Sequence, residues 1–261
     1  MAATAFYESD GERFAASELT RGPWDPDAQH AGPPAALLGR AIEGLPSDEP
    51  KAVGRITFEI LRPVPIAPLR TEARLVRPGR NVELVEASLY DESGPVVSAR
   101  AWRLRIEEVE LGPLPRPQAP AGPEHGAERG FFPTGERVGY HTAMEYRFVA
   151  GEFISPGPAT VWMRMRHPLV AGEAPSPLQR VLVAADSGNG VSAALDWRRF
   201  LFINVDLTVH LHRMPATEWV RLDAVTVPQP SGIGLADTAL HDERGPIGRA
   251  TQTLLVRRRD G

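Results

Sequence analysis

The apolar positions of this chain recur with two different periods. Over residues 34–45, Pro34, Leu37, Leu38, Ala41, Ile42 and Leu45 return at three- and four-residue steps, which is one face of a helix. Pro33 and Pro34 suit its first turn, where backbone amides have no partner within the helix, and Gly44 supplies a stop. Most of the remaining first half alternates. Ile56, Phe58 and Ile60 are interleaved with Arg55, Thr57 and Glu59, as in a strand with one buried face. Residues 70–77 and 82–90 flank the turn Pro78-Gly79-Arg80-Asn81, and 96–104 follows a second turn at 91–95. An opening strand is expected over 14–24.

The second half repeats this order. Strands are expected over 146–153 and 160–166, then a helix capped by Ser176-Pro177 with Leu178, Val181, Leu182 and Ala185 in phase. Val205, Leu207, Val209 and Leu211 alternate with polar residues, and strands over 219–227, 233–240 and 247–256 close the set. The likeness extends to the residues themselves. Leu89-Tyr-Asp-Glu-Ser-Gly-Pro95 answers to Leu240-His-Asp-Glu-Arg-Gly-Pro246, and Arg62 to Arg213. The offsets agree, since 240 − 89 and 213 − 62 are both 151. A constant offset over that distance indicates two copies of one structural unit. Between them runs Leu111-Gly-Pro-Leu-Pro-Arg-Pro-Gln-Ala-Pro-Ala-Gly-Pro123, too rich in proline to pair in a sheet. The units are therefore placed at 1–110 and 136–261, with a linker over 111–135.

One long helix beside several antiparallel strands is most simply buried by wrapping the sheet around the helix. That is a hotdog unit, and the chain is expected to be α+β, a tandem double hotdog with the two sheets joined edge to edge. Composition narrows the chemistry. There is no cysteine, which removes disulfides, thiolate metal sites and a cysteine nucleophile. The net charge is −4 without a long basic block, so nucleic acid is not an expected partner. No apolar run approaches a membrane span and no signal peptide is visible, which gives a cytoplasmic expectation.

His30-Ala-Gly-Pro-Pro-Ala-Ala-Leu-Leu-Gly39 at a helix start resembles the His-Gly-Gly segment of hotdog thioesterases, and Ala184-Ala-Asp-Ser187 resembles their Ala-Asp-Ser/Thr segment. The resemblance is to the double-hotdog acyl-CoA thioesterases of the thioesterase II type and extends over nearly the whole chain through the order of elements. It implies an acyl-CoA substrate, no cofactor and no metal, and it is compatible with a homo-oligomer. It also implies a catalytic Asp on the second helix, a Ser or Thr on the following strand and a Gln on the last. Asp186 and Gln252 match, whereas Asn204 falls where the family has Ser or Thr, and Ala31 replaces one glycine of His-Gly-Gly.

The candidate catalytic residues are thus Asp186, Gln252 and Asn204, with Gly32 and His30 at the first helix start as oxyanion or substrate contacts. Their first-unit counterparts are Gly39, Val53 and Ala101, none able to do the same chemistry, which suggests one active site per chain. Each residue also has a plain structural reading. Asp186 could serve a turn, Gln252 a backbone group at the seam, Asn204 its own strand entrance, and Gly32 a tight turn. A carboxylate near a helix C-terminus is opposed by the dipole, which favours chemistry for Asp186. His210 and His212 lack a third ligand at recognisable spacing and read as a polar strand face. Arg257-Arg-Arg259 reads as a solvated tail with coenzyme A phosphates a weak alternative, and Ser187 and Ser231 lack a Gly-x-Ser-x-Gly context. Two other functions stay open: acyl binding without catalysis, and a hotdog hydratase, which needs a His general acid/base shortly after the Asp, where the chain has none before His210.

Overall fold

The computed structural model describes residues 3–114, 118–131 and 134–259. Strand β1 (Tyr7–Ser9) pairs with β2 (Phe14–Ala16). The strand expected over 14–24 stops there, because the Ser17 side chain accepts the Leu19 amide and caps a 3-10 turn, Glu18–Thr20. Helix α1 (Gly32–Glu43) and strands β3 (Lys51–Ile60), β4 (Pro68–Arg77), β5 (Val82–Asp91) and β6 (Gly94–Arg105) complete the first unit. The second contains a single helical turn α2 (Tyr140–Ala143), β7 (Met144–Glu152), β8 (Ser155–Met165), α3 (Pro177–Ala185) and a short α4 (Gly188–Val191). It ends with β9 (Phe200–Asn204), β10 (Asp206–Leu211), β11 (Val220–Pro228), β12 (Ile233–Asp242) and β13 (Gly245–Arg258).

The strands form one antiparallel sheet in the order β1-β2-β4-β5-β6-β3-β10-β13-β12-β11-β8-β7, with β9 also on β13. The fold is the α+β double hotdog. Its seam is β3 against β10, and the register there places Thr57 opposite Thr208. These residues are 151 apart and their hydroxyls hydrogen-bond at 3.1 Å, so the internal two-fold axis passes between them. Arg62 grips Asp91 through two bonds of 2.7 and 2.5 Å, and Arg213 grips Asp242 through two of 2.6 and 2.5 Å. Each arginine also donates to the carbonyl of the turn glycine, Gly94 or Gly245, and both glycines have φ of 126°, which a side chain would oppose. The repeated motif is therefore a clamp on a hairpin.

Helices α1 and α3 lie against each other inside the wrapped sheet. Ser176 caps α3 by accepting the Gln179 amide, as its sequence indicates. Both helices are buried well beyond one stripe: Val183 and Ala184 are as enclosed as Leu178 and Leu182. A helix with sheet on one side and another helix on the other is apolar all round. Closeness is set by two glycines. A Cβ on Gly39 would lie 2.5 Å from Leu182 Cδ1, and one on Gly32 would lie 2.4 Å from the Val183 carbonyl oxygen.

The linker span 111–135 includes residues 115–117 and 132–133, which lie outside the described residues. Its described part is tied down: Trp162 Nε1 donates to the Ala121 carbonyl at 3.0 Å, and Ala127 bridges Phe148. One expectation is corrected in part: Arg257 and Arg258 belong to β13, paired with Leu201 and Phe200, and Arg259 bonds the Arg199 carbonyl, so the run is solvated as expected but is an ordered strand end rather than a tail.

Candidate active site

Helix α3 ends on Asp186, whose φ of −68° and ψ of −12° remain helical, yet the chain re-forms only a single turn at Gly188. The break lies against β12 and β13. A Cβ on Gly188 would meet Thr238 Oγ1 at 2.5 Å and Gln252 Oε1 at 3.0 Å, so only glycine lets the helix pass there. Gln252 holds the break through both ends of its amide. Its Nε2 donates to the Asp186 backbone oxygen at 3.0 Å and to Asp186 Oδ1 at 3.2 Å, and its Oε1 accepts the Asn189 amide at 3.0 Å. Asn204, at the end of β9, donates from Nδ2 to Asp186 Oδ1 at 2.8 Å and to the Asp206 carbonyl at 3.1 Å.

The first unit supplies the other wall. His30 Nδ1 lies 3.0 Å from Asp186 Oδ2 and also accepts the Gly32 amide at 3.1 Å. The backbone amides of Ala31 and Gly32 face the Asp186 carboxyl as well. Asp186 therefore closes helix α3 and stands at the N-terminus of α1, where the partial positive charge favours a carboxylate. Sequence reasoning saw only the unfavourable end of its own helix. The five candidates, Asp186, Gln252, Asn204, His30 and Gly32, come together from both units. Counted from the helix N-caps, Ala31 and Ser176, the first-unit counterpart of Asp186 is Ala41 and not Gly39, because the helices are offset by 145.

Tyr140 was not anticipated. Its ring stacks on His30 with centroids 3.7 Å apart and planes 7° from parallel. Its hydroxyl donates to the Val183 carbonyl at 2.7 Å and lies 2.9 Å from Ser187 Oγ. No local pattern around Tyr140 signals this, since the contact depends on the chain re-entering after the linker.

Burial dominates the electrostatics. Asp186 is 4% exposed, and desolvation raises its pKa to about 7, against the hydrogen bonds from Asn204, Gln252 and the Ala31 and Gly32 amides. Desolvation lowers His30 to about 3. Two bare acceptors 3.0 Å apart would repel, so one proton lies between Asp186 and His30. With the carboxyl protonated it donates to Nδ1, which keeps the Gly32 amide bond, and with the carboxylate formed Nδ1–H donates to it and the Gly32 amide is released to the carboxylate. The two groups titrate as one unit.

His30 and Tyr140, with Ser187, Asn189 and Gly190, line a cleft that Trp24, Phe131, Tyr146 and Phe153 make aromatic. Its cavity of about 30 Å³ has room for a water beside His30. Among the described residues no group of three His, Asp or Glu side chains could hold a metal, and His210 is exposed on its strand. No helix among them is long and apolar enough to cross a membrane.

Family models fit both halves: the acyl-CoA thioesterase C-terminal domain over residues 115–256 and the N-terminal domain over 20–104. The chain belongs to the acyl-CoA thioesterase family. Solved structures agree in fold over full length. The acyl-CoA thioesterase II TesB2 of Mycobacterium marinum matches at a TM-score of 0.67 and 16% identity, covering 96% of this chain and 94% of that one. A Thermobifida fusca protein provisionally described as a thioesterase II matches at 0.74 and 21%, covering 98% and 96%. A hot dog protein of unknown function from Alicyclobacillus acidocaldarius matches at 0.71 and 17%, covering 97% and 95%. No curated protein matches the chain by sequence.

Proposed function

We propose that this protein hydrolyses acyl thioesters of coenzyme A, with the Asp186–His30 pair activating the attacking water. The observation that carries this reading is a buried carboxyl raised to about 7, in contact with a histidine that lines a cleft. A base poised near neutrality takes a proton in the transition state and can return it. Water gives its proton to the pair as its oxygen adds to the thioester carbonyl. The tetrahedral intermediate then collapses by breaking the carbon–sulfur bond, and the leaving thiolate takes the proton back. The products are a carboxylic acid and free thiol.

In this reading Asp186 is the proton store, His30 faces the substrate, and Asn204 and Gln252 hold the carboxylate rather than the water. The Gly32 amide is engaged with His30 and Asp186 here, so service as an oxyanion donor requires the arriving carbonyl to displace that bond. The aromatic walls would receive the acyl group. An Asp–His pair is also what a hydratase needs, and the histidine missing along the chain after Asp186 is supplied in space by His30. Incubation with a panel of saturated and 2-enoyl-CoAs separates the readings. Thiol release from the saturated esters is the expected result. Loss of the enoyl absorbance without thiol release would make the protein a lyase, and tight binding with neither would make it an acyl carrier.

A further inference from the structure

Most charged arginine contacts in this acidic chain are to carboxylates, as in Arg62 with Asp91, Arg164 with Glu145 and Arg213 with Asp242. A group of five arginines with no ion pair among the described residues lies together in space. The register of β9 and β13 sets Arg257 opposite Leu201 and Arg258 opposite Phe200, and the Arg259 amide bonds the Arg199 carbonyl at 2.9 Å. Arg198 completes the group, and all five are exposed. Arg198 stands 5.5 Å from the Trp197 ring centroid and Arg199 stands 5.8 Å from that of Phe200. The one acid on that turn, Asp196, accepts the Arg198 backbone amide and caps the turn.

The cluster is connected to the active site. Arg259 is anchored by Nε on the Trp197 carbonyl at 2.9 Å, and its guanidinium stands 6.0 Å from the Trp24 ring centroid. Trp24 lines the cleft with His30 and packs edge-on against Phe202 at 5.5 Å. Phe202, Leu254 and Val256 form a separate apolar cluster there. Side chains alternate along a strand, so Gln252, Leu254, Val256 and Arg258 share one face of β13. Six residues of strand span about 20 Å, the scale of an extended pantetheine arm. Along this face Gln252 leads through the apolar surface to Arg258, and Arg259 reaches Trp24 from the end of the strand.

We propose that Arg198, Arg199, Arg258 and Arg259 seat the phosphate groups of coenzyme A, with the pantetheine arm crossing the Trp24–Phe202–Leu254 surface toward His30 and Asp186. Guanidinium forks match phosphate oxygens, and a local positive field offsets the repulsion an acidic protein would exert on a polyanionic substrate. This assignment rests on the thioesterase reading, but its test need not.

The same acyl group is presented on coenzyme A, on acyl carrier protein and on N-acetylcysteamine, which ends before the phosphates, to the wild type and to the double variant Arg198→Glu, Arg199→Glu. Specificity for the coenzyme A ester over the short ester should fall by about tenfold or more, through KM rather than kcat. Parallel loss on both esters would overturn the seat. So would a loss confined to an acyl carrier protein ester, which would make this face a protein-docking surface. Calorimetry with adenosine 3′,5′-bisphosphate reads the seat without turnover: the wild type should bind it, more weakly as salt rises, and the variant should not. A wild type that hydrolyses coenzyme A esters but ignores both the bisphosphate and the charge reversal contradicts the proposal. One that binds the bisphosphate but hydrolyses nothing keeps the seat and removes the hydrolysis reading.

Discussion

His30 Nδ1 and Asp186 Oδ2 lie 3.0 Å apart, one from the start of the first unit's helix and the other from the end of the second's. The pair forms only because α1 and α3 lie side by side in one wrapped sheet. Its behaviour with pH follows from two opposite shifts. Asp186 goes from an ordinary 3.8 to about 7 on folding, so it favours the folded state at low pH and that contribution is lost as pH rises through about 7. His30 goes from 6.5 to about 3, so its contribution is present above 6.5 and lost as pH falls toward 3. Between 3.8 and 6.5 each state binds one proton at the pair, and the two slopes cancel. Asp186→Asn should uncover the histidine slope. Urea titrations of that variant should show stability falling on acidification from pH 6.5, by up to about 1.4 kcal/mol per pH unit relative to wild type. Parallel curves for the two proteins would mean that the pair does not exchange its proton as described.

Asn204 stabilises the charged form of Asp186 through its 2.8 Å bond. Asn204→Ala should therefore raise the apparent pKa of the acidic limb in a plot of kcat/KM against pH, so that the plateau is reached at higher pH. A fall in rate with an unmoved midpoint would show that Asn204 acts on something other than the carboxylate.

Gly39 is a packing residue and not the counterpart of Asp186. Gly39→Ala drives a methyl into fully buried Leu182, and overpacking of this kind should lower stability by about 1–3 kcal/mol. Adding Leu182→Ala should return part of that loss, and a double-mutant cycle measures it. Gly32→Ala should not be rescued in this way, because its methyl meets the Val183 backbone oxygen.

Arg103 marks where the first unit spends its buried charge. It donates to the Ile42 and Leu45 carbonyls at the end of α1 and to Glu83 at 2.7 Å, with Lys51 on the other Glu83 oxygen. By the 151 offset its counterpart is Leu254, in the apolar cluster beside Phe202. Arg103→Leu copies the second unit into the first but leaves one Glu83 oxygen and the helix carbonyls without their donor while Lys51 still pairs the other oxygen, so it should cost about 1–3 kcal/mol in chemical denaturation.

The strands and both helices were legible because burial writes a period into the chain, and the turn motif ending in Pro95 and Pro246 is legible because an Arg–Asp clamp and a positive-φ glycine require those residue types. Asp186, Gln252 and Asn204 stood out as polar residues where the other unit has small or apolar ones. The His30–Asp186 contact was not legible: no spacing relates residues from different units, and a search for a histidine along the chain looks in the wrong direction. Tyr140 escaped for the same reason. The order of Arg257–Arg259 was not legible because an exposed arginine run carries no apolar alternation, and its strand pairing depends on β9, more than fifty residues away.

The most direct test of the account is the turnover of Asp186→Asn on an acyl-CoA that the wild type hydrolyses. The substitution keeps shape and the capacity to bond Asn204 and Gln252 but cannot store the proton. Thiol release should fall by about 10²–10⁴-fold, the usual range for loss of general acid–base assistance, with the fold intact by circular dichroism. Full turnover in the folded variant would contradict the assignment of Asp186 as the proton store.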